Sequence, residues 1–142
     1  MSKHQIAPTS SHHANPQPKA LRVLCADDHE QLALVVKYAF ERAGHHVECV
    51  SDGLSALERV MEDLNFFNVL VTDHQMPRLS GLGLVSKLRD TEFSGAIVVH
   101  SSHLTKAEAD AYRALAVDHI LGKPAPLPML LGIIHALVEA PP

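Results

Sequence analysis

The chain has 142 residues, 46% of them hydrophobic, which is enough for one domain with a buried core. Its formal net charge of −4 argues against nucleic-acid binding by this chain alone. No apolar run approaches a membrane span, and the N-terminus lacks the apolar stretch of a signal peptide. We therefore predict a cytoplasmic protein with neither nucleic-acid nor membrane partners.

The first segment, residues 1–19, is rich in Pro, Ser, His and Asn and has few apolar side chains. It cannot bury enough surface to offset the entropy of ordering, so we predict a flexible tail followed by one folded domain over residues 20–140. Cys25 and Cys49 both lie in strand-like apolar segments. Their placement favours buried thiols over a disulfide framework.

From residue 21 onward, short apolar runs alternate with helical patterns. Strands are predicted at 21–26, 46–50, 68–72, 96–102 and 119–121. Helices are predicted at 29–43, after Gly53, at 82–88, from a Thr105 N-cap to about residue 115, and at 127–139. The helix after Gly53 is predicted to turn Leu54, Leu57 and Met61 inward. Five strands alternating with five helices predict an α/β fold with a doubly wound, five-stranded parallel sheet.

Polar side chains stand at the ends of four of these strands. Asp27 and Asp28 follow the first strand, Asp73 follows the third, Ser101 ends the fourth and Lys123 follows the fifth. The carboxyl ends of parallel strands meet at one edge, where ligand sites gather. Three acids packed together repel one another unless a cation joins them, and hard divalent cations prefer oxygen ligands. The lysine would complete a site for a metal and an anion, which is the chemistry of a phosphoryl group on an aspartate.

Five segments carry a resemblance to a known family: LRVLCADD, SDGLSAL, VLVTDHQMPRLSGLGLV, IVVHSS and DHILGKP. The chain resembles the response-regulator receiver domains of two-component signalling, of the chemotaxis-regulator type, from about Ala20 to Val138. The resemblance implies a flavodoxin-like (βα)5 fold. It also implies a domain that accepts a phosphoryl group from a histidine kinase or phosphotransfer protein and signals by protein contact or phosphorelay. Such a domain is not a separate enzyme and catalyses only its own phosphorylation and dephosphorylation.

The resemblance also implies roles for single residues. Asp73 matches the phospho-accepting aspartate, while Ser101 and Lys123 match the residues that contact the bound phosphoryl group. The implied Mg²⁺ ligands are the acidic pair, the acceptor and one backbone carbonyl: Asp27, Asp28, Asp73 and Gln75. If the chain is complete, the absence of a following domain implies a single-domain regulator.

The chain departs from the family's pattern at two positions. Ile120 stands where receiver domains usually carry a switching aromatic residue, and Ser102 stands where a small alanine is common. Ile120 leaves open an alternative, namely a receiver-like module that signals without phosphorylation. Two other classes fit less well. A haloacid-dehalogenase-type phosphatase needs an acid where Gln75 stands. A flavin-binding flavodoxin needs a Ser/Thr/Gly-rich phosphate loop where Asp27-Asp28-His29-Glu30 stands, which would repel a phosphate.

Two histidines and the last helix complete the sequence predictions. We expect His74 in an exposed loop and His100 as a hydrogen-bonded core histidine. The last helix carries apolar residues around most of its circumference, including Met129 and Ile133 beside the sheet-facing stripe. We predict self-association or binding of a downstream partner through these two residues. The alternative is that they are singly exposed apolar side chains.

Overall fold

A computed structural model describes residues 19–139. Most of the predicted N-terminal tail, residues 1–18, lies outside the described residues, as do residues 140–142. None of the helices in the described range is both long and apolar enough to cross a membrane.

Strands and helices alternate through the domain. The strands are β1 (Arg22–Ala26), β2 (His46–Val50), β3 (Val69–Thr72), β4 (Ala96–Ser101) and β5 (His119–Gly122). The helices are α1 (Glu30–Arg42), α2 (Gly53–Glu62), α3 (Gly81–Arg89), α4 (Lys106–Ala114) and α5 (Leu127–Glu139). The predicted elements are all present, and their bounds differ from the predicted ones by at most one residue. Thr105 caps α4 as predicted, because its hydroxyl accepts from the Glu108 N–H while the Glu108 carboxylate accepts from the Thr105 N–H.

All neighbouring strands are parallel, in the order β2-β1-β3-β4-β5. This confirms the predicted doubly wound sheet. The chain lays β2 on one side of β1 and β3 on the other, so the direction of winding reverses between β1 and β3. Their last residues, Ala26 and Thr72, are register partners. The segments that leave β1 and β3 therefore open a crevice at the carboxyl edge, where doubly wound folds bind ligands.

Apolar side chains cover both faces of the sheet. Helices α2 and α5 test which of their side chains the sequence predicted to be buried. In α2, the buried residues are Gly53, Ala56 and Val60, and Leu57 packs against the same apolar cluster. Met61 is 51% exposed, so its predicted inward position is wrong. Ala56 and Val60, four residues apart, form the buried stripe of this ten-residue helix. Met61 follows Val60 directly and therefore points away from that stripe.

Helix α5 packs on the sheet through Leu130 and Ile134, which are buried as predicted. Ile133 is partly buried against the same apolar cluster, whereas Met129 is 50% exposed. His135 lies against the loop before β2, where its Nε2 is 2.7 Å from Nε2 of His45. The apolar face predicted to be free is thus narrower than the sequence indicates.

Candidate functional site

The acidic pair after β1 divides into a buried and an open carboxylate. Asp27 is buried, and its Oδ1 accepts a hydrogen bond of 2.9 Å from the His29 N–H. Its backbone N–H donates to the Val50 carbonyl at 3.0 Å, which ties the start of the loop to the end of β2. The side chain of Asp28 is 42% exposed. Neither acid caps α1, whose N-cap residue is His29.

Lys123 joins the acidic pair to the acid after β3. Its Nζ lies 2.6 Å from Oδ2 of Asp27 and 3.3 Å from Oδ2 of Asp73. All three side chains are at most 10% exposed, so the contacts are poorly screened by water. The Lys123 N–H donates to the Ser101 carbonyl at 2.9 Å, which fixes the lysine beside the end of β4. Residues separated by 96 positions in sequence thus meet at one edge of the sheet.

Beside this ion cluster lies a shallow pocket of about 150 Å³. Most of the predicted site residues line it. The lining comes from the end of β4 and from the loops that follow β1, β3 and β4: Asp28, His29, Asp73, Gln75, Ser101, Ser102 and His103. Ser101 is buried at the end of β4, whereas Ser102 and Gln75 are exposed. The pocket is open on one side and is large enough for a small anion and a cation.

The loop after Asp73 is held close to the site by glycine. The Gly81 N–H donates to the His74 carbonyl at 2.7 Å. A Cβ added to Gly81 would lie 2.1 Å from the Asp73 carbonyl oxygen and 2.7 Å from the Tyr112 hydroxyl. No side chain fits in that space, so α3 can start this close to Asp73 only with glycine at its first position.

His74 is buried, and its predicted position in an exposed loop is wrong. Its Nδ1 lies 2.6 Å from the Tyr112 hydroxyl and its Nε2 lies 3.0 Å from Oε2 of Glu108. Both partners belong to α4, more than 30 residues further along the chain. Nothing local to His74 in the sequence signals these contacts, which depend on how α4 packs on the sheet.

His100, inside β4, is buried as predicted, but the predicted hydrogen bond fails at one atom. Its Nε2 has no hydrogen-bond partner among the described residues. Burial, followed by the positive charge of Lys123, lowers the pKa of His100. The ring is therefore kept neutral, which suits a position close to the Lys123 ammonium.

The donor set suits a hard divalent cation. Asp27, Asp28, His29 and Asp73 each offer one ligand atom, and these four atoms lie within 4.8 Å of one another. Three of the four are carboxylates, which are typical ligands of Mg²⁺. Gln75 lines the same pocket, where its backbone carbonyl would add a neutral oxygen. The residues present therefore fit the metal predicted from the sequence.

Comparison with known proteins identifies the family. The family model described as "Response regulator receiver domain" matches residues 23–135. The chain is 34% identical over 119 residues to Response regulator MprA of Mycobacterium leprae, covering 84% of this chain and 51% of MprA. It is 31% identical over 123 residues to Sensory/regulatory protein RpfC of Xanthomonas campestris, covering 84% of this chain and 17% of RpfC. This chain belongs to the response-regulator receiver domain family and is a receiver domain of the two-component type. It spans about half of MprA's length and a smaller part of RpfC's.

Solved structures agree with the fold. A CheY-like response regulator receiver domain protein from Methanospirillum hungatei JF-1 superimposes with a TM-score of 0.80 at 20% identity, covering 85% of this chain and 95% of that chain. At this level of identity the likeness shows the fold alone. The receiver domain of the Francisella response regulator 1452 gives a TM-score of 0.74 at 28% identity, covering 84% of this chain and 97% of that chain.

Proposed function

We propose that this receiver domain takes a phosphoryl group onto Asp73 with the help of Mg²⁺. The observation that supports the proposal is the convergence of Asp27, Asp73 and Lys123. One carboxylate oxygen of each aspartate lies within hydrogen-bond distance of the Lys123 ammonium. Family membership supports the proposal. The site residues Asp27, Asp28, Asp73, Gln75, Ser101 and Lys123 were predicted from the sequence and are assigned here as proposals.

Each side chain has a defined task in the transfer. An oxygen of the Asp73 carboxylate attacks phosphorus, and the bond from phosphorus to the donor's nitrogen or oxygen breaks. Asp73 Oδ1 accepts a hydrogen bond of 2.7 Å from the His74 N–H, which leaves Oδ2 on the side of Lys123. The Lys123 ammonium opposes the negative charge that gathers on the phosphoryl oxygens. Ser101 lines the same pocket and offers its hydroxyl as a hydrogen-bond donor.

Asp28 is the acid best placed to bind the metal directly, because its partly exposed carboxylate lines the pocket. Both oxygens of Asp27 already accept hydrogen bonds, one from the His29 N–H and one from Lys123. When bound, Mg²⁺ neutralises the repulsion between the acids and the incoming phosphoryl group. This chain's own residues supply the remaining positive charge and the orientation.

Intact-mass measurement after incubation with acetyl phosphate and Mg²⁺ tests the proposal. The wild-type domain should gain one phosphate mass, and Asp73→Asn should gain none. Omission of Mg²⁺ should suppress the label. A second receiver domain incubated in parallel confirms that the donor is active. An unlabelled wild type beside a labelled control domain would refute phosphorylation of this site and favour the alternative, a receiver-like module that signals independently of phosphorylation.

Histidine kinases or phosphotransfer proteins are the proposed donors, and a second copy or a downstream protein is the proposed partner of α5. One relative, EvgS of Escherichia coli, is called a sensor protein.

Met129 supports a partner surface on α5 because it is 50% exposed, while Ile133 contributes only a partly buried edge. Sedimentation of the wild type and of Met129→Glu, with and without a phosphoryl mimic, tests self-association. A monomeric wild type in both states would leave a heterologous partner to be tested by pull-down.

The cytoplasmic location stays a prediction from the sequence.

A further inference from the structure

One buried histidine, His74, links the proposed phospho-acceptor Asp73 to helix α4, which lies more than 30 residues further along the chain. The His74 side chain is only 8% exposed and has a polar partner at each ring nitrogen, both on α4. Its backbone N–H donates 2.7 Å to Oδ1 of Asp73, and its carbonyl accepts 2.7 Å from the Gly81 N–H. One residue therefore holds the acceptor carboxylate, the start of α3 and the buried side of α4 together.

The hydrogen-bond chemistry gives each partner a definite role. An ionised Glu108 carboxylate can only accept, so Nε2 of His74 carries the hydrogen of that bond. In the tautomer with its hydrogen on Nε2, Nδ1 accepts from the Tyr112 hydroxyl. The pKa of Glu108 is lowered, first by the Thr105 N–H and then by His74, which keeps the carboxylate ionised. Burial raises the pKa of Tyr112, with a further contribution from the negative charge of Asp73, which keeps the phenol a donor.

We propose that His74 is a positioning residue for Asp73, held by Tyr112 and Glu108, and that through it the state of the acceptor is transmitted to α4. This inference rests on the proposed function. A ring bonded at both nitrogens cannot rotate without breaking the buried hydrogen bond to Tyr112, and this anchoring restrains the segment whose N–H holds Asp73 Oδ1. Ile120 is aliphatic and only partly buried against the core, so it offers no hydrogen bond of its own to this edge. The His74 contacts provide a polar connection from the acceptor to α4 that does not use Ile120.

Phosphorylation kinetics with acetyl phosphate test the positioning role. Tyr112→Phe keeps the ring and removes the hydroxyl, and Glu108→Ala removes the other anchor. Each should lower the maximal labelling rate of Asp73 by about tenfold, because a misplacement of about 1 Å in a reacting group can cost up to ~10²-fold. The donor concentration that gives half the maximal rate should stay unchanged, since no donor contact is lost. Glu108→Gln retains an acceptor oxygen and should recover most of the rate.

Matched controls separate positioning from helix stability. Thr105→Ala removes the same α4 cap that Glu108→Ala disturbs but leaves the His74 contacts in place. Tyr38→Phe removes an exposed hydroxyl that accepts a hydrogen bond from Arg42, away from the site. Both controls should label at the wild-type rate. If Thr105→Ala slows labelling as much as Glu108→Ala does, the effect belongs to the cap and the inference is wrong.

NMR of the backbone amides tests the transmission to α4. Beryllium fluoride with Mg²⁺ serves as the phosphoryl mimic and should shift the amides of residues 106–114 in the wild type. Tyr112→Phe should bind the mimic and lose most of the α4 shifts. Equal shifts and equal labelling rates in Tyr112→Phe and the wild type would overturn the inference while leaving phosphorylation of Asp73 intact. A wild type that neither takes label nor binds the mimic would overturn the proposed function, and this inference with it.

Discussion

Removal of the Lys123 ammonium should destabilise the domain strongly, and Mg²⁺ should reverse much of the loss. Lys123 lies 2.6 Å from Asp27 and 3.3 Å from Asp73, and all three side chains are at most 10% exposed. In Lys123→Met, two buried carboxylates would face each other without a cation. Loss of one partner of a buried ion pair typically costs about 3–5 kcal/mol of unfolding free energy. Because either acid can relieve the repulsion by taking up a proton, we expect the lower end, about 3 kcal/mol.

The assay is urea unfolding followed by circular dichroism at pH 7, in EDTA and in excess Mg²⁺. A cation that binds only the folded state stabilises it by about 2.7 kcal/mol at 100 times its dissociation constant. Mg²⁺ should therefore recover most of the stability of Lys123→Met. Asp27→Asn in the same background should also recover stability, because it removes one of the two repelling charges.

An exposed lysine provides the control. Lys106 pairs with Asp110 on α4 at 3.0 Å, but its side chain is 90% exposed. Lys106→Met should therefore cost less than about 1 kcal/mol relative to the wild type, and this difference should be the same in EDTA and in Mg²⁺ because the metal site is retained. The reasoning is refuted if Lys123→Met unfolds like Lys106→Met in EDTA, or if the stability difference between these two variants is as large in Mg²⁺ as in EDTA.

Three further predictions concern the site loop, the metal and a histidine pair. Gly81→Ala should destabilise the domain by about 2 kcal/mol or more in urea unfolding, because its Cβ would lie 2.1 Å from the Asp73 carbonyl oxygen; an unchanged midpoint would contradict the close approach. Asp28→Ala should weaken Mg²⁺ binding in calorimetric titration far more than Asp27→Ala, and equal affinities of Asp28→Ala and the wild type would contradict direct ligation. His45 has its pKa lowered by burial and then by His135, so the unfolded chain takes up more protons than the folded domain below about pH 6.5. Stability should thus be full above that pH and fall as the pH drops towards the folded pKa, and a His45→Gln variant with the same slope between pH 7 and 5 as the wild type would disprove the assignment.

Much of the site follows from sequence because it depends on local features. Short apolar runs in the sequence define the strands. The polar residues that directly follow these runs must therefore lie at the carboxyl ends of the strands. Asp27, Asp73 and Lys123 were placed at one edge of the sheet without knowledge of any contact between them, because the carboxyl ends of parallel strands must share that edge. The order of the strands was not predicted and comes from the structure.

Only the tertiary structure decided features that depend on how distant elements pack. The burial of His74 depends on Tyr112 and Glu108, which approach it only when α4 docks on the sheet. Met61 lies outside because α2 turns Ala56 and Val60 towards the sheet. Periodicity identifies an apolar stripe but not the neighbour that covers it. The sequence by itself thus determined the sheet edge and its charged residues, and the packing of the helices decided which side chains support them, because those contacts join segments with no common local pattern.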